Sequence, residues 1–326
     1  MAKKAAVVSA KKAQDSLKRT GFEKFLLDFS RNWQLHTMIF LPFLYMAIFH
    51  YLPMGGLQMA FRNFTPRGSI ANSEWLGLAN FINFFAKNYN ALQLIVNTLA
   101  LSLYSLAASF PIPIILALVI HVNTLKPLKK IAQNISYIPH FISVVILIGI
   151  LRALIDPYSG ILGSISRHFN LDYFPDLWAD KKAFRHMYVW SGVWQGMGWS
   201  SIIYVSALAA VPDDLHEAAK LDGASRLRRV WSVDLPTILP TIAIMLIMRF
   251  GSIMSVGYQK AYLMQNTANS STSEIISTYV YKQGLQGLRF GYSSAVGLMN
   301  SVVNTSMVVL VNWITNLLTD NEMGLF

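Results

Sequence analysis

Residues 211–236 read VPDDLHEAAKLDGASRLRRVWSVDLP, a densely charged stretch lying between two long apolar blocks. The pattern predicts two short helices followed by a return of the chain into a membrane. Asp214 is placed to cap the first helix, with Glu217 three residues on in the reciprocal position. Asp213 and Asp214 both favour a helix amino end. Ala218 and Ala219 leave a bare surface that another protein can approach closely. Gly223 supplies the positive φ that ends the helix and turns the chain. A second short helix starts near Ser225 and carries Arg226, Arg228 and Arg229. Trp231 suits a lipid interface and Pro236 suits the first turn of the next span. Neither a nucleophile nor a metal-ligand constellation is present, so the stretch reads as a docking element or as an amphipathic loop.

The rest of the chain explains why so charged a loop stands out. Of 326 residues, 54% are hydrophobic and only 13% are charged, about half the charged share usual in soluble domains. A hydrocarbon core of about 30 Å needs roughly 20 apolar residues in helix. Six blocks meet that length: Thr37 to Gly56, Leu92 to Ile120, Ile135 to Ile155, Met187 to Val211, Leu235 to Tyr258 and Tyr292 to Leu318. The expected class is therefore an all-α polytopic membrane protein with six transmembrane helices. Its parts would be a basic amino-terminal segment (1–34), a membrane domain (35–318) with the loop 212–234, and a tail (319–326).

Lysine and arginine set the orientation. Segments 1–34, 121–134 and 212–234 carry eight, three and four of them, whereas the longer segments 57–91, 156–186 and 259–291 carry three, four and three. The denser set belongs in the cytoplasm, so both termini are expected inside. The net charge of +11 is accounted for by basic loops held against anionic lipid, and no nucleic-acid partner is called for. Phe22, Phe25, Leu26 and Phe29 recur at helical spacing after the basic run, which suits a helix lying on the inner leaflet. A partly ordered basic tail is the other reading; a cleavable signal is not, because the apolar block that follows is rich in Pro and aromatics.

Within the spans, Pro111 and Pro113 predict a kink or a short unwound turn. Arg152 and Arg249 are costly in lipid unless paired, snorkelling or facing water. Flat aromatic surfaces combined with hydrogen-bonding side chains suit a hydroxyl-rich ligand. Trp190, Trp194, Gln195, Trp199 and Tyr204 on the fourth span fit that chemistry. So do Tyr258 and Gln259 at the end of the fifth, and the i,i+4 pair Asn300 and Asn304 on the sixth. The competing readings are interfacial anchoring for the aromatics and interhelical bonds for the asparagines. The seven histidines show no compact ligand spacing and read as interfacial or structural, so no metal site is expected. Cysteine is absent, which excludes disulfides and thiolate chemistry.

Glu217-Ala218-Ala219, Asp222-Gly223-Ala224 and Leu235-Pro236, with Val233 in the last hydrophobic place, resemble the EAA loop of binding-protein-dependent ABC importer permeases. Tyr51 to Gly56, Ala60 to Phe64 and Trp75 to Phe81 are similar to segments of the polysaccharide-type permeases, the alginate-type among them. Asp156 to Leu162 also resembles a segment of these proteins, except that Gly163 stands where an Asn is usual. The resemblance covers most of residues 36–318 and implies the type I ABC importer permease fold. It implies that Glu217, Ala218, Ala219, Asp222, Gly223 and Arg226 couple the chain to an ATPase. It also implies a second homologous permease, two ATP-binding subunits, a periplasmic or extracellular solute-binding protein, and a location in the bacterial cytoplasmic (inner) membrane.

No G-x-x-x-x-G-K-[ST] phosphate loop occurs in the chain. ATP and Mg are thus expected in partner subunits, with no cofactor and no catalysis in this one. The expected function is permeation of an oligosaccharide or polysaccharide, anionic (alginate-like) among the options. Trp194, Gln195, Trp199, Arg249, Tyr258, Asn300 and Asn304 are candidates for the substrate path. A membrane scaffold or sensor is the alternative of another class. An ion-coupled carrier is a third, disfavoured because acidic residues lie only at the span margins.

Overall fold

The structure is a computed structural model that describes residues 29–169 and 174–318. The interfacial helix expected through Phe22, Phe25 and Leu26 and the tail from Thr319 lie outside the described residues. Packing divides the chain into a unit Met1–Gln58 and a unit Met59–Phe326. In the first unit, helix α1 (Trp33–Met46) runs into a π-helical turn, Ala47–Tyr51. Pro53 follows it; its ring cannot donate and crowds the carbonyl four residues back, so a widened turn relieves the ladder.

The second unit is helical, with no strand among the described residues. Its principal helices are α2 (Ala79–Lys87), α3 (Ala91–Ser109), α4 (Pro111–Val122), α5 (Lys126–Tyr137), α6 (Val144–Ile155) and α7 (Ile161–His168). The long α8 (Lys181–Ala209) precedes the charged loop, which holds α9 (Asp213–Leu221) and α10 (Arg226–Arg229). Then come α11 (Leu235–Phe250), α12 (Tyr258–Met264), α13 (Ile276–Tyr281) and α14 (Phe290–Leu318). The proline expectation holds: α3 stops at Ser109 and α4 restarts at Pro111.

The count of six spans is not reached by length and apolarity alone. Four helical runs qualify: 33–61, 91–122, 226–250 and 290–317. A fifth exists only if the pair 126–141 and 144–155, bent by 102°, is one broken span. The third span expected over Ile135 to Ile155 is therefore corrected to a broken one that starts earlier, at Lys126. Pro139 tightens the chain into a short 3₁₀ turn, Ile142 and Ser143 are extended, and Ser143 Oγ caps α6 by accepting from Ile146 N–H at 3.3 Å. Helix α8 has 29 residues, about 43 Å at 1.5 Å each, which is long enough to span. It falls below the apolar criterion because Gly, Ser and Gln interrupt its hydrophobic residues. The fifth span also ends earlier than expected. Helix α11 stops at Phe250, and Gly251, Ser252, Ser255 and Gly257 carry the chain irregularly into α12.

Helix α8 is the hub, packed against α3, α4, α5, α11 and α12. Leu101, Phe184, Val193, Met264 and Ile275 form one buried cluster along it. Ile114, Ala117, Tyr204, Leu208 and Ile238 form another nearer its carboxyl end. Lipid tails are as apolar as these side chains, so helix association in a membrane depends on close packing rather than on escape from water. Gly198 provides it: a Cβ there would sit 2.0 Å from the Ser136 carbonyl oxygen of α5.

Candidate functional site

The charged loop folds almost as its residues dictate. Helix α9 has no fully buried residue, and only His216 and Ala219 on it are half-buried. Gly223 at φ +76° ends it, with Ala224 N–H donating to Ala219 C=O at 2.9 Å and Gly223 N–H to Lys220 C=O at 3.0 Å. This paired closure is the Schellman motif. Ser225 caps α10, its Oγ accepting from Arg228 N–H at 3.3 Å. The amino end is a correction: Pro212, not Asp214, occupies the cap, no side-chain cap forms, and Asp213 and Asp214 lie in the first turn. Glu217, Ala218, Asp222, Gly223 and Arg226 are exposed and Ala219 is half-buried. Leu221 and Leu227 stand 91% and 70% exposed, an apolar display that a solvated loop would normally avoid.

Two segments singled out in sequence close on one another. Ala60 to Phe64 and Trp75 to Phe81 form a clasp in which Leu76 N–H donates to Phe61 C=O at 2.8 Å and Asn63 N–H to Glu74 C=O at 2.9 Å. Phe61 stacks on Trp75 at 5.6 Å, and buried Asn80 donates to Ala60 C=O at 3.0 Å. In the segment from Asp156, the carboxylate accepts from Ser159 N–H at 2.7 Å and Tyr158 N–H at 2.9 Å. These bonds hold its pKa below the ordinary carboxylate value, the Ser159 backbone bond contributing most. The glycine at 163 is explained by packing, since a Cβ there would lie 2.3 Å from the Pro157 carbonyl oxygen.

Between α3, α8 and residues 249–260 lies a cavity of ≈ 320 Å³, at the small end of ligand sites. Ser102, Ser105, Ser109, Gln195, Ser200, Ser252 and Ser255 line it with polar groups, and its charged residues are Arg249 and Lys260, with no carboxylate. Ser102 Oγ and Ser105 Oγ are buried there without a hydrogen-bond partner among the described residues. Arg249 Nη2 donates to Ser200 Oγ at 3.4 Å. Lys260 Nζ donates to Tyr188 C=O at 2.7 Å and stands 4.7 Å from the Tyr188 ring centroid. Burial pushes the Lys260 ammonium down to about 8. Gly192 faces it where a Cβ would come within 3.1 Å of Nζ.

Of the seven substrate-path candidates, the cavity gathers Gln195 and Arg249. Gln195 also donates to Ile142 C=O at 2.7 Å, bridging the break before α6. The others lie elsewhere. Trp199 stacks on His140 at 4.5 Å, Tyr258 stacks on Tyr281 at 5.5 Å, and Trp194 is exposed outside the lining. Asn304 accepts from Met254 N–H at 2.8 Å and donates to Ser255 Oγ at 2.8 Å, while Asn300 donates to Met254 C=O at 3.4 Å. They bond the backbone left open where α11 ends. Sequence reasoning missed Lys260 and the serines. Lys260 is the one charged residue between Phe250 and Ser273, and that isolation was the available signal.

Residues 95–319 match the family described as binding-protein-dependent transport system inner membrane component. The chain belongs to this family. Two curated relatives from Bacillus subtilis (strain 168) extend the likeness over nearly the whole permease. One is the polygalacturonan/rhamnogalacturonan transport system permease protein YteP, 37% identical, covering 89% of this chain and 90% of the relative. The other is protein LplB, 36% identical over 91% and 92%. Among solved structures, the permease is similar to a chain of a bacterial ABC transporter involved in the import of the acidic polysaccharide alginate. That match has a TM-score of 0.83, with 35% identity and coverage of 91% of this chain and 99% of the other. A second crystal structure, of a bacterial alginate transporter in complex with a pentasaccharide-bound periplasmic protein, gives the same TM-score. The exposed helix α9 and the cavity both fall within the matched family residues.

Proposed function

We propose that this permease is one of two membrane subunits of an ATP-driven importer for an acidic oligosaccharide or polysaccharide, in the cytoplasmic membrane of a bacterium. The observation that carries the substrate class is the cavity's charge: two cations, six serines, Gln195 and Tyr188, and no carboxylate. A uronate chain offers carboxylates to Arg249 and Lys260 and hydroxyls to the serines and Gln195. The names of YteP and of the alginate transporter agree with that chemistry. A solute-binding protein delivers the saccharide from outside, and a second homologous permease completes the path.

Two ATP-binding subunits supply ATP and Mg, and this chain contributes α9 as the element they grip. Glu217, Asp222 and Arg226 offer charge, Ala218 and Ala219 allow close approach, and the exposed Leu221 offers an apolar contact. Closure of the ATPase pair then shifts the permease between inward-open and outward-open states. The orientation places both termini in the cytoplasm and counts α8 and the bent pair α5–α6 as spans, giving six.

The test is ATPase stimulation in the reconstituted complex by binding protein loaded with charged or neutral saccharides of equal length. Stimulation by the charged chains, lost in R249Q/K260Q, is the expected result. Equal stimulation by both would remove the acidic preference.

A further inference from the structure

We propose that His121, His216 and Asp234 form a binding site for a divalent first-row transition ion, zinc foremost, that fastens α9 to the base of the fifth span. The three side chains come from three elements: the last turn of α4, the middle of α9, and the π-helical turn Val230–Asp234 that leads into α11. His216 Nε2 lies 3.1 Å and His121 Nε2 3.5 Å from the same atom, Asp234 Oδ1. All three potential ligand atoms fall within 4.8 Å of one another. In a tetrahedral zinc site with bonds of about 2.0–2.2 Å, ligand atoms stand roughly 3.3–3.6 Å apart, so two of the three edges are nearly in place.

Burial takes the Asp234 oxygen and the His216 nitrogen out of bulk water. The Asp234 side chain is 2% exposed, against 16% for His216 and 24% for His121. Asp234 Oδ1 and His216 Nε2 are both buried and meet as an ion-pair contact at 3.1 Å, and neither makes a hydrogen bond among the described residues. A buried carboxylate left in that state is expensive. An ion bound between the two atoms satisfies both. The imidazole rings lie 5.9 Å apart and tilted by 37°, so the two nitrogens converge instead of stacking.

The donor set selects the ion. Two imidazoles and one carboxylate suit zinc and its neighbours in the first transition row, whereas magnesium and calcium require oxygen. Lys220, Arg226, Arg229 and Asp213 line the same cavity. Among the described residues, none of those cations comes within ion-pair distance of Asp234. Their charge opposes any dication, so binding there depends on the lone pairs of the two imidazole nitrogens, which favour zinc over magnesium and calcium. The adjoining cavity can supply water as the fourth ligand.

The site would act as a clip. Helix α9 has no buried residue of its own, and His216 is the side chain by which it reaches the buried carboxylate. Metal bound there would hold α9 in one orientation against the spans and regulate coupling, whatever saccharide the complex carries.

The test is zinc titration of the purified full complex after chelator treatment, followed by cobalt substitution. The expected result is one ion per copy of this chain, the intense visible d–d absorption of four-coordinate cobalt, and a thermal midpoint that rises with zinc. H216N and H121N should weaken binding by more than about 100-fold, beyond the loss usual for an outer-sphere partner. D234N is the third variant, and if it fails to assemble the histidine pair still decides. Wild-type complex with no four-coordinate spectrum and no zinc-dependent midpoint would overturn the proposal. So would affinity unchanged in both histidine variants, which would mark adventitious surface binding.

Discussion

In the loop 211–236 the hydrogen bonds are local: Ala224 reaches back to Ala219, Gly223 to Lys220 and Arg228 to Ser225. Around the cavity they cross the chain, Lys260 to Tyr188, Arg249 to Ser200 and Gln195 to Ile142, over separations of 72, 49 and 53 residues. The loop is a module whose shape belongs to its own residues. The cavity exists only because a long polar-flecked helix is surrounded. A local motif can project from the membrane domain and keep its form when a partner grips it. A cavity assembled from distant segments can change shape when those segments move, which is what alternating access requires.

A glycine on the helix that the cavity depends on and a glycine in the loop test this difference most severely. G198A places a methyl against the Ser136 carbonyl oxygen at 2.0 Å, and backbone cannot rotate away. Overpacking usually costs about 1–3 kcal/mol and more where backbone must shift, so the complex should fail to assemble or lose most of its thermal stability. G223A meets nothing within 4 Å but must hold φ at +76°, a strain of about 1–2 kcal/mol. It should leave the thermal midpoint nearly in place while lowering ATPase association and uptake together. Similar midpoints for the two variants would break the contrast.

Lys260 sharpens it from the cavity side. Its folded pKa is depressed to about 8, below the usual value of about 10.4. Between those values the unfolded chain holds more protons, so stability should rise with pH across that window. Capture of an acidic saccharide needs the ammonium and should fall as pH rises past about 8. K260M should abolish both trends; K260R should keep capture at high pH. Parallel trends in the wild type would show that Lys260 does not face the substrate. The smallest effect is expected of D156N. Its folded pKa is depressed, so the carboxylate's contribution is present above the unfolded value and lost as pH falls through the folded one. The variant should flatten the acid end of the stability profile and leave transport near wild type.

Much of the fold was legible because its causes are local. The Gly223 turn, the Ser225 cap, the break at Pro111 and the sixth span follow from residue types and spacing. What the sequence did not show has another cause. The bend before α6 depends on an extended pair of residues held by the Ser143 cap and by Gln195 from α8, which no periodicity reveals. Asn300 and Asn304 looked like a polar face for substrate but bond to backbone freed at the end of α11. Trp199 looked like a sugar platform and stacks on His140.

Apolar block lengths determined by themselves that this chain is a helical membrane protein, because hydrocarbon thickness and backbone geometry act on consecutive residues; that it is a permease came from the loop's resemblance to a known family. Which polar side chains meet was decided by the tertiary structure alone. Lys260 and Arg249 share a cavity with α3 and α8, and His121 of α4 meets His216 and Asp234 of the charged loop, through packing between segments far apart in the chain. Chain spacing carries no record of those distances, since they depend on how the helices pack against one another.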